Sequence, residues 1–201
     1  ELFLNDPEHP GQFRRQFINS GNTGSVIANM AEGGIAIADF NNDGTPDLFF
    51  SGWTGKDREA YVWNIYTNKI ADDGSVTFTA TGNEGIEQMR NQSSSQSQYL
   101  AVDWDGDGNN DLINLGWSPS LSTQTAFISV GDGTGKFENK YRLPGNSEGT
   151  AAVIDWDGDG ILDFITTGQS GDEALYDTSD FRRIFAMASN TNTPAAKPAA
   201  P

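Results

Sequence analysis

The chain has no cysteine and a single histidine, His9. A zinc site built from the usual Cys and His ligands is therefore excluded. A Ser-His-Asp triad would have to use His9, which sits in the turn-like stretch Asp6-Pro7-Glu8-His9-Pro10-Gly11, where a solvated histidine is expected. Positive charge is also scarce, with 12 Lys and Arg against 28 Asp and Glu and a net charge of −16. That balance argues against nucleic acid and against electrostatic attachment to an anionic membrane. No apolar run is long enough to span a bilayer and no signal peptide is recognisable, so a soluble mature form or an excerpt is expected. The lack of cysteine does not by itself fix a compartment.

What the chain has is a repeated acidic loop. Its clearest copy is Asp103-Trp104-Asp105-Gly106-Asp107-Gly108-Asn109-Asn110-Asp111. Carboxylates at positions 1, 3, 5 and 9 can turn their oxygens toward one point. Glycine at position 6 permits the sharp turn that returns position 9 to it, and the carbonyl of Asn109 at position 7 can add a backbone oxygen. Hard, charged oxygen ligands on a flexible loop suit calcium better than magnesium, which demands near-octahedral geometry and keeps its waters. The loop recurs as Asp39, Asn41, Asp43, Thr45 and Asp47, and again as Asp155, Asp157, Asp159, Ile161 and Asp163. Thr45 and Ile161 take position 7, where the backbone carbonyl is the expected ligand. Three Ca²⁺ sites follow. The loops hold 11 of the 28 carboxylates, so much of the acidity is a metal signature. With Asn41 in place of an acid, the first site is expected to bind calcium more weakly.

An EF-hand also begins D-x-D-x-D-G, but it needs a bidentate Glu at position 12 and helices on both sides. Here position 12 is Phe50, Asn114 or Thr166. The flanks are short apolar runs such as Ile35-Ala36-Ile37-Ala38 and Leu48-Phe49-Phe50, which read as strands. Each loop is therefore a strand-to-strand turn.

The rest of the chain repeats around these loops. Leu2 to Phe17 reads as an opening hairpin. Tyr61 to Asn68 alternates as a strand, with Tyr61, Trp63 and Ile65 on one face, and Val76 to Thr79 follows as a fourth strand. Thr125 to Val130, the turn Gly131-Asp132-Gly133-Thr134-Gly135 and a strand from Lys136 repeat that order. Arg183 to Ala188 reads as the third strand of the last unit. The first Asp of each loop is spaced by 64 and then 52 residues. Four strands per unit of that length predict an all-β chain, a β-propeller of four-stranded antiparallel blades. Residues 1–190 would hold about three to four blades, and 191–201 a Pro/Ala-rich linker or tail.

The segments from Gly34 to Asp47, Ala101 to Asp111 and Ala152 to Asp163 resemble the FG-GAP/VCBS repeats of integrin α-chain propellers and of many secreted bacterial proteins. The hairpin from Thr125 to Phe137 is similar to the second half of such repeats. The resemblance implies a calcium-stabilised propeller of seven or eight blades, extracellular or at the cell surface, as in cell adhesion. This chain would be part of such a ring, completed by the remainder of a longer propeller or by a second copy of itself. It also implies that the calcium loop joins the first and second strands of a blade.

Trp53 and Trp117 then stand at the end of strand two in equivalent places, with Gln169 in the third copy. An aromatic there can stack on a sugar or anchor a protein, or it can pack between blades. The aromatics Phe40, Trp104 and Trp156 at loop position 2 read as structural. Three functions stay open: a module binding a glycan or protein ligand, a fragment of a carbohydrate-active enzyme such as a polysaccharide lyase, and a calcium-bound spacer. For the lyase, Lys56, Arg58 and Tyr61 lie near Trp53 in sequence, but nothing in the spacing demands catalysis and no catalytic residue is assigned.

Overall fold

The computed structural model describes residues 2–16, 31–54, 60–72, 76–81, 95–118, 122–170 and 185–187. They hold thirteen strands and no helix. The first two, β1 (Leu2–Asn5) and β2 (Phe13–Gln16), form an antiparallel hairpin. Three blade-like antiparallel sheets follow. Blade 1 is β3 (Ala31–Ala38), β4 (Asp47–Thr54), β5 (Ala60–Ile70) and β6 (Val76–Ala80), paired in chain order. Blade 2 is β7 (Ser95–Val102), β8 (Asp111–Ser118), β9 (Thr123–Gly131) and β10 (Phe137–Pro144), paired likewise. Blade 3 is β11 (Asn146–Ile154), β12 (Asp163–Ser170) and β13 (Phe185–Met187). This is a partial propeller, as expected. The polar connection at 19–29 and the tail at 191–201 lie outside the described residues.

The lead-in strands begin earlier than the apolar pattern suggests. β3 and β11 start at Ala31 and Asn146, several residues before the apolar runs at Ile35 and Ala151. The cause is a bulge in each. The register slips between Ala31 and Gly34 and between Ser147 and Thr150. Glu32 and Glu148 take left-handed backbones there, with φ of 54° and 53°. The extra residue breaks the period-two alternation that marks a strand. The glycine after each bulge is required by space: a Cβ on Gly33 or Gly149 would lie 1.7 Å from the Ser51 or Thr167 carbonyl oxygen.

Neighbouring blades bury the apolar faces that they turn toward each other. Between blades 1 and 2 lie Ala36, Phe40, Phe49, Trp63, Ile65, Tyr99, Leu112 and Phe137. Phe40 meets Phe137 edge-on with ring centroids 5.7 Å apart, and Phe49 meets Tyr99 at 4.7 Å. Between blades 2 and 3 lie Trp104, Ile113, Leu115, Ala126, Ile128, Ala151 and Phe164. Each fully buried Leu, Ile or Phe among them contributes about 1.5–3 kcal/mol. The innermost strands also touch directly. The Gln98 side chain on β7 accepts from the Ala151 N–H (2.6 Å) and donates to the Ala151 carbonyl (3.5 Å), which ties β7 to β11.

Candidate metal centre

The three acidic loops connect the first and second strands of the three blades: β3 to β4, β7 to β8 and β11 to β12. Each is closed by hydrogen bonds to its own backbone. The carboxylate at position 1 accepts from two loop amides. Asp103 takes Gly106 (2.8 Å) and Gly108 (3.0 Å), and Asp155 takes Gly158 (2.8 Å) and Gly160 (2.9 Å). Asp39 takes Asp43 (3.1 Å) and Gly44 (2.8 Å). At position 5, Asp43, Asp107 and Asp159 accept from the amides of Thr45, Asn109 and Ile161. This fold needs two left-handed residues per loop. Position 6 is the expected glycine, but position 4 is left-handed too, with φ of 57° at Asn42 and 76° at both Gly106 and Gly158. Asparagine tolerates that region better than most side chains. The Gly-Asp-Gly spacing of the second and third loops carried this signal.

Position 9 is the anchor between loop and blade. Asp111 is fully buried and accepts from the Trp104 N–H and the Gly131 N–H, both at 2.8 Å. Asp47, also fully buried, accepts from Phe40 (3.1 Å) and from Asn68 on β5 (3.0 Å). Asp163 accepts from Trp156 at 2.8 Å. In the first two loops one carboxylate thus fastens the loop start to the third strand of the blade. Burial pushes the Asp111 carboxyl up to about 6, against the two amide bonds, with further upward pressure from Asp105 and Asp107. Burial likewise raises Asp47, offset in part by its amide bonds.

The carboxylates converge in two of the loops. Oxygens of Asp103, Asp105 and Asp111 lie within 4.8 Å of one another, as do oxygens of Asp155, Asp157 and Asp159. The test of fit is Asp105. Its Oδ1 is buried and has no hydrogen-bond partner, while its Oδ2 lies 3.7 Å from the Lys140 Nζ on β10. A buried carboxylate oxygen without a donor, on a residue that clusters with two further carboxylates, suits a hard cation. The residues therefore fit calcium, with the Asn109 and Ile161 carbonyls available at position 7.

The first loop differs. Among the described residues it forms no such group of carboxylates. Instead the Asn41 side-chain amide donates to Asp43 Oδ2 (3.0 Å), and the Thr45 hydroxyl donates to Asp43 Oδ1 (2.5 Å). The Thr45 hydroxyl, then its amide, then Asn41 hold Asp43 below the usual carboxylate range. This loop has folded its own donors onto the carboxylate a metal would use.

Trp53 and Trp117 occupy equivalent ends of β4 and β8, away from the loops, and both are half-buried. Trp53 stands opposite Ala31 and Tyr61, and Trp117 opposite Ser95 and Gln124. Lys56 and Arg58 lie outside the described residues. His9 is exposed, with Nδ1 3.3 Å from Asp6 Oδ2. The sequence reading did not reach Lys140, or the amides of Gly131 and Asn68. These contacts cross from one strand to another and leave no local pattern.

Residues 103–166 match the model of the FG-GAP-like repeat. The match begins at the first residue of the second loop, Asp103, and runs three residues past the last residue of the third, Asp163. No curated protein matches the chain significantly.

Proposed function

We propose that this propeller-like module is stabilised by calcium and works outside the cell or at its surface. The observation that carries the reading is that Asp105, which clusters with Asp103 and Asp111, has a buried Oδ1 without a hydrogen-bond partner. Asp103, Asp105, Asp107, Asp111 and the Asn109 carbonyl hold the ion in the second loop. Asp155, Asp157, Asp159, Asp163 and the Ile161 carbonyl hold it in the third. Asp39, Asn41, Asp43, Asp47 and the Thr45 carbonyl make a third, weaker site. Bound calcium supplies positive charge to oxygens that otherwise repel one another. The residues themselves set the loop shape, through the amide bonds to positions 1, 5 and 9, and position 9 passes that order to the blade.

A thermal melt in millimolar calcium and again in excess chelator tests this. A ligand that binds only the folded state raises the melting temperature once its concentration exceeds Kd. A rise of several degrees is expected, and most of it should be lost in Asp105→Asn/Asp157→Asn, which leaves only the weaker first site. Equal melting temperatures in the two buffers would overturn the reading.

The same module is assigned a glycan or protein ligand, held at the end of the blades opposite the calcium loops. The support is the equivalent placing of Trp53 and Trp117 at that end, each with part of its surface open to solvent. Trp117→Ala should abolish binding on a glycan array or to a captured protein while leaving the melting temperature within a few degrees. Unchanged binding removes the role of this residue.

A further inference from the structure

The strand registers make each blade a copy of the next, so equivalent positions can be compared one by one. Ile35, Tyr99 and Ala151 correspond, as do Ile37, Ala101 and Val153. In blades 2 and 3 these positions pack against the preceding blade. In blade 1 they are Ile35 and Ile37, 51% and 65% exposed. The opposite face follows the same rule. Loop position 2 inserts into the following blade, so Phe40 and Trp104 are 2% and 5% exposed, whereas Trp156 is 71% exposed. Ile154, equivalent to Ala38 and Val102, is half exposed beside it.

The chain thus carries two open half-interfaces of opposite polarity. Among the described residues, no blade packs on the Ile154 and Trp156 face of blade 3, and none packs on the Ile35 and Ile37 face of blade 1. The two filled interfaces between them show the kind of face that mates with each. We propose that a second copy of this chain supplies both: the Ile154 and Trp156 face of one copy packs on the Ile35 and Ile37 face of the other. The β1–β2 hairpin is a weaker occupant, because it offers two short strands where the filled interfaces use the inner strands of a whole blade. The contact is head-to-tail, and two such contacts related by a twofold close a ring. An exposed Trp beside exposed Ile is also what an apolar interface core offers, where aromatic residues are enriched. This inference does not rest on the calcium reading.

The test is the mass of the chain by light scattering and sedimentation between about 1 and 100 µM, with calcium and with chelator. The expected result is a concentration-dependent dimer. Trp156→Asp and Ile37→Asp should each give a monomer with unchanged circular dichroism, because each spoils one side of both contacts. Mixing the two variants should restore a dimer, since one contact then joins two intact faces. A monomeric parent chain at 100 µM overturns the proposal, and so does a Trp156→Asp variant that stays dimeric. A mixture that stays monomeric rules out the head-to-tail pairing.

Discussion

The side-chain amide of Asn42 donates to Asn109 Oδ1 at 2.7 Å and so joins the first acidic loop to the second. Asn110 adds a bond to the Asp39 carbonyl (2.9 Å), and the Gly135 N–H donates to the Phe40 carbonyl (2.9 Å). Asn109 in turn donates its own amide to Asp107 Oδ2 at 2.9 Å. Asn42 therefore helps to orient a residue that holds the Asp107 carboxylate and carries the position-7 carbonyl, both proposed to face calcium. Ordering one loop removes freedom from the other. Asn42→Ala should weaken calcium in the second loop about fivefold, the worth of roughly one hydrogen bond of ~1 kcal/mol. Titration calorimetry reads this directly, and an unchanged second-loop affinity would mean the loops bind independently.

Two carboxylates of the second loop should separate folding from metal binding. Asp111 satisfies two buried backbone amides, so Asp111→Ala leaves both without a partner. The expected loss is on the order of 2–4 kcal/mol in denaturant titrations, even in chelator. Among the described residues Asp105 accepts no hydrogen bond at Oδ1, and the Lys140 Nζ lies near its Oδ2. Asp105→Asn should leave the stability in chelator nearly unchanged and reduce the gain on adding calcium. Equal losses for the two variants in chelator would contradict the division of labour.

The raised carboxyl of Asp111 has a definite sign in pH. Its folded value of about 6 lies above the value of about 3.9 for an unfolded Asp. Between these limits the folded chain keeps a proton that the unfolded chain has released. The contribution of this group is therefore fully present below about pH 4 and is lost as pH rises through about 6. Asp47 shifts in the same direction. In chelator, the stability of the parent chain relative to Asp111→Asn should fall from pH 4 to pH 7. In calcium the ion must displace that proton, so second-loop affinity should drop as pH falls below about 6. A pH series of melts in the two buffers measures both slopes.

The repeat was legible because positions 1, 6 and 9 of each loop must meet the same stereochemical demands, and Asp, Gly and Asp meet them three times over. The strand starts were less legible. Glu32-Gly33 and Glu148-Gly149 insert a bulge, and a sequence read by alternation stops there. The pairing of Asp105 with Lys140 and of Asp47 with the Asn68 amide is fixed by blade register, which no local window contains. The internal closure of the first loop, Thr45 and Asn41 onto Asp43, followed from a substitution that was visible but whose hydrogen-bonding outcome was not.

The same motif position also gives opposite burial according to its neighbour, and this yields a sharp comparison. Phe40 sits at loop position 2 and fills the seam between blades 1 and 2 against Phe137. Phe40→Ala removes a buried ring, and the site cannot collapse fully because the Gly135 N–H still holds the loop to the next blade. A loss of about 3–5 kcal/mol is expected. Trp156 holds the same place in the third loop but stands in solvent. In a dilute sample below the association range, Trp156→Ala should change stability by no more than about 0.5 kcal/mol. Denaturant melts of the two variants at about 1 µM provide the check. A large loss at Trp156 under those conditions would mean that the ring is already covered within one chain, and the open face of blade 3 would then be closed.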